Sequence, residues 1–403
     1  MISVRSRRAE AAFYGLLGGL VLALGLARLW LGPWYYTWNP FEVTLLERWP
    51  AAWEVAYYTE QFPHFLGAAP PKFGVALVHY RTFATLYLAA TLYAWTGSAF
   101  WSLAAVDFVF WFLGGVAARQ LARRLGATEL TARIAALLVV ASPLFISHFW
   151  RLDLHAANFA TMAIGSWAAV ALIDGRRNPV LLTAALGALL VWLGLNYSYQ
   201  WVLMPLLVIL CLTSRHHGWA ESLLVPAGAA LIYLAGTRGL ELLFATLVGP
   251  ASAFDNVASQ PGSMILERAR SGVPPREILG SLFSPYHVTE IARSYHPLVL
   301  GAGIGGALLL SRRLAALTIA GLGISLYSVT SYSAPWAATV AYPFVYVGAA
   351  HGCAVCGRLF GRYAVTAALS FAILLMSVTN LDLAGNTGFL LTWWSYFAGR
   401  YVF

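Results

Sequence analysis

Ser98–Arg124 reads SAFWSLAAVDFVFWFLGGVAARQLARR, a long apolar run holding one acid, Asp107, and closing on Arg119, Arg123 and Arg124. A bilayer core is crossed by about 20 apolar residues in a helix. Arginines gathered at one end of such a helix mark its cytoplasmic side. The same pairing of run and cluster repeats in both directions along the chain. Arg5, Arg7 and Arg8 precede it; Arg176 with Arg177, Arg215, Arg312 with Arg313, and Arg358 with Arg362 follow. Between one cluster and the next there is room for one out-and-back pair of apolar spans, so every cluster falls on the same side.

Composition agrees. Of 403 residues, 60% are hydrophobic and only 10% charged, against about 25% charged in a soluble domain; mean hydropathy is +0.70. The chain cannot cover a water-facing surface of its own. The net charge of +9 is a topology signal and a contact for anionic membrane lipids, not a nucleic-acid footprint. Lys72 is the sole lysine, an arginine bias that points to a GC-rich bacterial genome. Cys211, Cys353 and Cys356 all fall outside the long outer loops, which excludes a disulfide framework. The Cys353–Cys356 spacing reads as small apolar residues at a helix end, and the glycines of Gly301–Gly306 as close helix packing.

The expected architecture is an all-α polytopic membrane protein, one transmembrane domain over residues 1–403, with about eleven spans. They are placed near 12–32, 98–118, 132–149, 157–173, 179–195, 200–214, 219–236, 297–311, 314–330, 335–352 and 362–379. The N-terminus is then cytoplasmic. Two long loops, 33–97 and 237–296, and the aromatic tail 380–403 lie on the periplasmic or extracellular side of a bacterial inner membrane. Thr82–Thr96 is apolar enough to cross, but crossing would carry every later arginine cluster outside. It is therefore expected in the outer interface, or re-entrant.

Chemistry is expected on the outer side. Glu42, in Trp38-Asn39-Pro40-Phe41-Glu42, stands shortly after the first span. A carboxylate at the membrane edge would hold its proton more tightly than in water and could take one from an acceptor hydroxyl; the alternative is a solvated helix face. Glu60 is a second candidate acid. The turn His148–His155 (HFWRLDLH) sets Arg151 against the charge trend. Asp153 and His155 alternate with leucines and could share a divalent ion such as Mg or Mn, while Arg151 could bind a phosphate oxygen; a local Arg151–Asp153 ion pair is the alternative. Lys72, Arg81, Arg268, Arg270 and Arg293 could clamp a lipid-linked phosphate or simply meet lipid headgroups. Asp107, inside a span, is expected to be packed, neutral or Arg-paired. No Walker loop, GxSxG, HExxH or dinucleotide fingerprint is present.

Three stretches together resemble the GT-C superfamily of membrane glycosyltransferases: Trp38–Glu42 after the first span, Leu86–Gly126 (LYLAATLYAWTGSAF through ARRLG), and Ala141–Ala163 (ASPLFISHFWRLDLHAANFATMA). The last is similar to the stretch of oligosaccharyltransferase catalytic subunits where an acidic metal-binding motif follows an Arg-containing turn, and Asp153 takes the place of that acid. The resemblance implies inverting transfer of a sugar from a polyprenyl-phosphate donor to a glycan or protein acceptor, with Glu42 as base. The pattern departs from the family at three points. The first-loop acid is Glu rather than the commoner Asp, His155 stands where further acids are usual, and the second long loop has no WWD-type motif. A transporter or a scaffold subunit of a larger membrane complex is the competing reading.

Overall fold

The structure, a computed structural model, describes residues 4–31, 99–149, 155–175, 178–196, 203–214, 216–248, 271–282, 285–329 and 338–383, with Thr85, Leu88, Thr91, Leu92, Trp95 and Thr96 singly. Among these there is no strand. The helices are α1 (Val4–Leu31), α2 (Ala99–Arg124), α3 (Glu129–Val140), α4 (Pro143–Phe149), α5 (His155–Gly175), α6 (Pro179–Asn196) and α7 (Leu203–Leu212). They continue as α8 (Trp219–Val248), α9 (Pro275–Leu282), α10 (Pro285–Tyr295), α11 (Pro297–Leu310), α12 (Arg312–Val329), α13 (Tyr342–Phe360) and α14 (Arg362–Leu383). Four stretches are long and apolar enough to cross a membrane: Arg8–Ala27, Ala104–Arg124, Glu129–Ile146 and Trp219–Thr237. Exposed Leu16, Leu22, Leu26, Leu224, Leu231, Leu234, Phe371 and Leu374 make sense on helices that face lipid, where no water penalises them.

Local chemistry places the helix ends. α2 stops because Gly126 adopts φ 92°, a conformation cheap only for glycine. Its N–H donates to the Arg123 carbonyl and the next, of Ala127, to Ala122, which closes the helix in a Schellman turn. Thr128 then caps α3 by accepting the Thr131 N–H. Asn178 does the same for α6, accepting from Val180 and Leu181 ahead of Pro179.

Small residues bring the helices together. A Cβ on Gly306 would lie 1.9 Å from the Gly348 carbonyl, and one on Gly348 2.0 Å from that of Gly303. α11 and α13 thus touch backbone to backbone, and the Gly301–Gly306 run is a packing seam as expected. α6 meets α8 with glycine against side chain instead, Gly187 receiving Ile232 and Gly228 receiving Thr183.

Several boundaries differ from the sequence reading: the span expected over 335–352 is Tyr342–Phe360, and the last runs to Leu383, into the expected tail. The span expected over 132–149 is broken at Ala141-Ser142 into α3 and α4, because Pro143 cannot continue the first helix's bonding. The span expected to end at residue 236 runs on to Val248, so residues 237–248, assigned to the second long loop, are the last turns of α8. At 1.5 Å per residue this helix is about 45 Å long, well beyond a hydrocarbon core of about 30 Å. Thr85, Leu88, Thr91, Leu92, Trp95 and Thr96 are helical, and all but Thr85 are exposed. The Thr96 and Ser102 hydroxyls are 2.9 Å apart, which ties this segment to α2.

Candidate functional site at the end opposite the arginines

The two ends of the bundle are built from different chemistry. At the arginine end Arg119, fully buried, donates to Glu10 at 2.6 Å, to Glu129 at 2.5 Å and to Tyr14. Its guanidinium lies over the rings of Phe13 and Tyr14. Glu129 also pairs with Arg133 at 2.7 Å, so α1, α2 and α3 are cross-linked by charge. Arg313 pairs with Asp174 at 2.9 Å and joins α12 to α5. His217 reaches both Glu221 and the Ile173 carbonyl. Nearly every carboxylate described at this end is spent on a neighbouring cation.

The opposite end is a floor of aromatic rings and hydroxyls contributed by five helices. Trp111 of α2 donates its indole N–H to the Val140 carbonyl at 3.0 Å and stacks on Phe145 of α4, the planes 6° apart. Phe145 meets Phe159 of α5 and Tyr342 of α13 edge-on. Tyr342 leads to Tyr346 at 6.3 Å, and Tyr346 to Tyr295 of α10 at 5.8 Å. The buried phenols are all engaged. Tyr342 donates to the Phe159 carbonyl at 2.7 Å, Tyr346 lies 3.0 Å from the Ser142 hydroxyl, and Tyr295 donates to the Ala338 carbonyl. Burial pushes the Tyr295 phenol well above its ordinary range, so it stays a hydrogen-bond donor and not a proton source. These phenols hold the floor; they are not free for proton transfer.

One acid belongs to this floor. Asp107 is fully buried, and its Oδ1 accepts the Ala157 N–H at 2.9 Å. Of the roles expected for it, the packed structural one is seen, and the partner described is the backbone at the start of α5. His155 is the first residue of α5. Arg293 sits on α10 two residues before Tyr295 and is only 6% exposed, so it is packed into the bundle end and not spread on a lipid-facing surface.

The other expected site residues, Glu42, Glu60, Lys72, Arg81, Arg151, Asp153, Arg268 and Arg270, lie outside the described residues, as does the side chain of His155. The start of α5 and the buried end of α10 are thus what the structure brings to one end. Among the described residues no three His, Cys, Asp or Glu side chains gather as a metal site. Tyr295, Tyr342, Tyr346 and Ser142 were not singled out from the sequence. The Tyr342/Tyr346 spacing, one helical turn inside an apolar run, is the signal that could have found the last link of the floor.

Among the described residues the fold is all-helical, with four helices long and apolar enough to cross a membrane. The solved structures include the crystal structure of the oligosaccharyltransferase of Archaeoglobus fulgidus, tethered through a disulfide bond to an acceptor peptide containing the NVT sequon. It superimposes with a TM-score of 0.51 at 14% identity, covering 93% of this chain and 55% of the archaeal one. The chain therefore spans little more than half the length of that protein, and the likeness is one of fold. No protein-family model matches the chain, and no curated protein does.

Proposed function

We propose that this protein is a membrane glycosyltransferase that moves a sugar from a polyprenyl-phosphate-linked donor to a glycan or protein acceptor at the periplasmic or extracellular face. The observation that carries the reading is the likeness of fold to the archaeal oligosaccharyltransferase across 93% of the chain; the Trp38–Glu42 and Ala141–Ala163 stretches support it. In this reading the lipid tail stays among the spans, and the sugar phosphate lies at the end opposite the arginine clusters.

The chemistry is a displacement at the anomeric carbon. Glu42 (or, as the second candidate, Glu60) accepts the acceptor's hydroxyl proton. The new C–O bond forms on the face opposite the departing phosphate, which inverts the centre, and the C–O bond to phosphate breaks. Arg151, Lys72, Arg81, Arg268, Arg270 and Arg293 are the cations proposed to hold the polyprenyl phosphate that leaves. Asp153 and His155 are proposed to hold a divalent ion, which when bound would supply charge to that same phosphate. Two protein ligands leave coordination positions for phosphate and water, as hard ions of the Mg type require.

The test is transfer by the purified protein in lipid, using radiolabelled polyprenyl-phosphate sugars and cell-envelope acceptors. Glu42→Gln is expected to lower turnover about a thousandfold, within the range of general-base catalysis, with its thermal unfolding unchanged. Asp153→Asn is expected to shift the metal dependence of the rate. A wild-type protein that transfers no sugar and copurifies with a stoichiometric membrane partner would replace this reading with the scaffold one.

A further inference from the structure

Arg313 stands beside Arg312 at the start of α12, and the first turn of that helix holds no acid. Two cations thus sit at the positive end of a helix dipole, where anions are favoured and cations are not. Asp174 of α5 answers only part of this. Arg313 Nη1 lies 2.9 Å from both of its carboxylate oxygens. Nε and Nη2, on the adjoining edge of the guanidinium, are buried and meet no acceptor among the described residues. Their N–H bonds run side by side, the fork that takes two oxygens of one carboxylate or phosphate. Leaving a charged donor buried and unmet is costlier than leaving a neutral one. The bond to Asp174 holds the fork in place, and α7 packs on both of the helices which that bond joins, α5 and α12. The Arg313 side chain keeps 16% of its surface open, so the fork lies just inside the rim of the arginine end and not deep in a span.

We propose that the Nε–Nη2 edge of Arg313 is a seat for a phosphate oxyanion at the arginine end, filled by the headgroup of an anionic phospholipid or by free phosphate. A phosphate there accepts both side-on hydrogen bonds and meets the positive end of α12. It also brings the negative charge that Asp174 alone cannot supply against two arginines. A carboxylate would accept the same two bonds, but the membrane surface that an arginine-rich end meets is lined with phosphate. Lysine at position 313 would keep the charge and could still reach Asp174, yet it has no planar fork. The inference does not depend on the glycosyltransferase reading.

The experiment uses the full-length protein, stripped of lipid in detergent. The probes are short-chain phosphatidylglycerol, diacylglycerol with the same chains, and inorganic phosphate. Native mass spectrometry counts what stays bound, and thermal unfolding reads the stabilisation that binding brings. Wild type should retain one phosphatidylglycerol per chain after the rest are stripped, and should unfold at a higher temperature with it; diacylglycerol should do neither. Arg313→Lys should bind the phospholipid about tenfold more weakly or worse, the range set by losing one charge-assisted hydrogen bond. Arg124→Lys, the same exchange at an exposed arginine of α2, should bind as wild type does. If inorganic phosphate gives the Arg313-dependent stabilisation and phosphatidylglycerol does not, the seat stands and its occupant is free phosphate. Equal binding by wild type and Arg313→Lys overturns the proposal, because charge without the fork would then suffice. So does an equal loss in Arg124→Lys, which would mean a diffuse basic rim. Diacylglycerol that stabilises as well as the phospholipid overturns it too, as does a wild type that neither phosphate probe stabilises. If Arg313→Lys does not fold, Asp174→Asn decides. It keeps an acceptor for Nη1 and removes the competing charge, so phosphate should bind several-fold more tightly; unchanged affinity overturns the proposal.

Discussion

The arginine end and the aromatic end of this bundle meet the same demand, the satisfaction of buried polar groups, by opposite means. At the first, charge answers charge: Arg119 with Glu10 and Glu129, Arg313 with Asp174. At the second, hydroxyls and a carboxylate answer backbone: Tyr342 the Phe159 carbonyl, Tyr295 the Ala338 carbonyl, Asp107 the Ala157 N–H. Pairs of ions at a membrane surface can rearrange through water. Side-chain bonds to backbone fix the helix that carries them. The aromatic end is accordingly the better floor for a site that must hold reacting groups in register, and the arginine end the better anchor against anionic lipid headgroups.

The sharpest way to break the comparison is to remove the hub of the charged end. Arg119 is fully buried, while Glu10 and Glu129 are nearly half exposed, so water can take up the carboxylates it leaves. The cost of Arg119→Ala should therefore fall below the 3–5 kcal/mol of a sealed pair, to about 2 kcal/mol, part of it from the lost stacking on Phe13 and Tyr14. Thermal unfolding in detergent should show the drop. Glu10→Gln combined with Arg119→Ala should be non-additive. Tyr342→Phe combined with Arg119→Ala should be additive, because nothing the two contact is shared. Coupling between Arg119 and Tyr342 would mean that the ends are not independent.

Tyr342→Phe taken alone probes the other end. It deletes one hydroxyl and leaves the ring contacts with Phe145 and Tyr346 in place. The expected loss is about 1 kcal/mol, with faster amide exchange confined to the first turns of α5 and α13. Exchange rising instead across α1–α3 would contradict the assignment of this bond to the floor.

The charged end was legible in the sequence and the aromatic end largely was not. An arginine among apolar residues stands out, and Arg119, Arg313 and Asp174 fall where the clusters implied. Gly301–Gly306 was read correctly because small residues in a span have few other uses. A tyrosine inside an apolar run carries no such sign, since its ring suits a belt, a core or a lipid face equally. Only the tertiary contacts separate Tyr342 and Tyr346 from the exposed Tyr363. Asp107 showed that a span held a costly acid but not what answered it, because the backbone N–H it accepts lies fifty residues away. The break of the third span at Ser142 was signalled by Pro143, yet a proline within a membrane helix is often tolerated.

The smallest expected effect lies at the join between α10 and α11. His296 is the only non-glycine described with positive φ, 70° with ψ 131°, a strained conformation for any side chain. It caps α11 through Nδ1, which accepts the Leu298 N–H at 3.3 Å. Burial holds the His296 imidazole below its ordinary pKa of 6.5, and the capping role needs the same neutral form. Folding thus favours the unprotonated ring. This contribution is complete above pH 6.5, where the unfolded chain is neutral as well, and is lost as pH falls through the lower folded value. His296→Asn keeps an acceptor suited to the cap, tolerates positive φ better and cannot titrate. The wild-type melting temperature, followed from pH 8 to pH 5, should therefore decline more steeply than that of His296→Asn, with the two curves parallel above pH 7. Parallel curves over the whole range would show that the α10–α11 join does not respond to protonation of this ring.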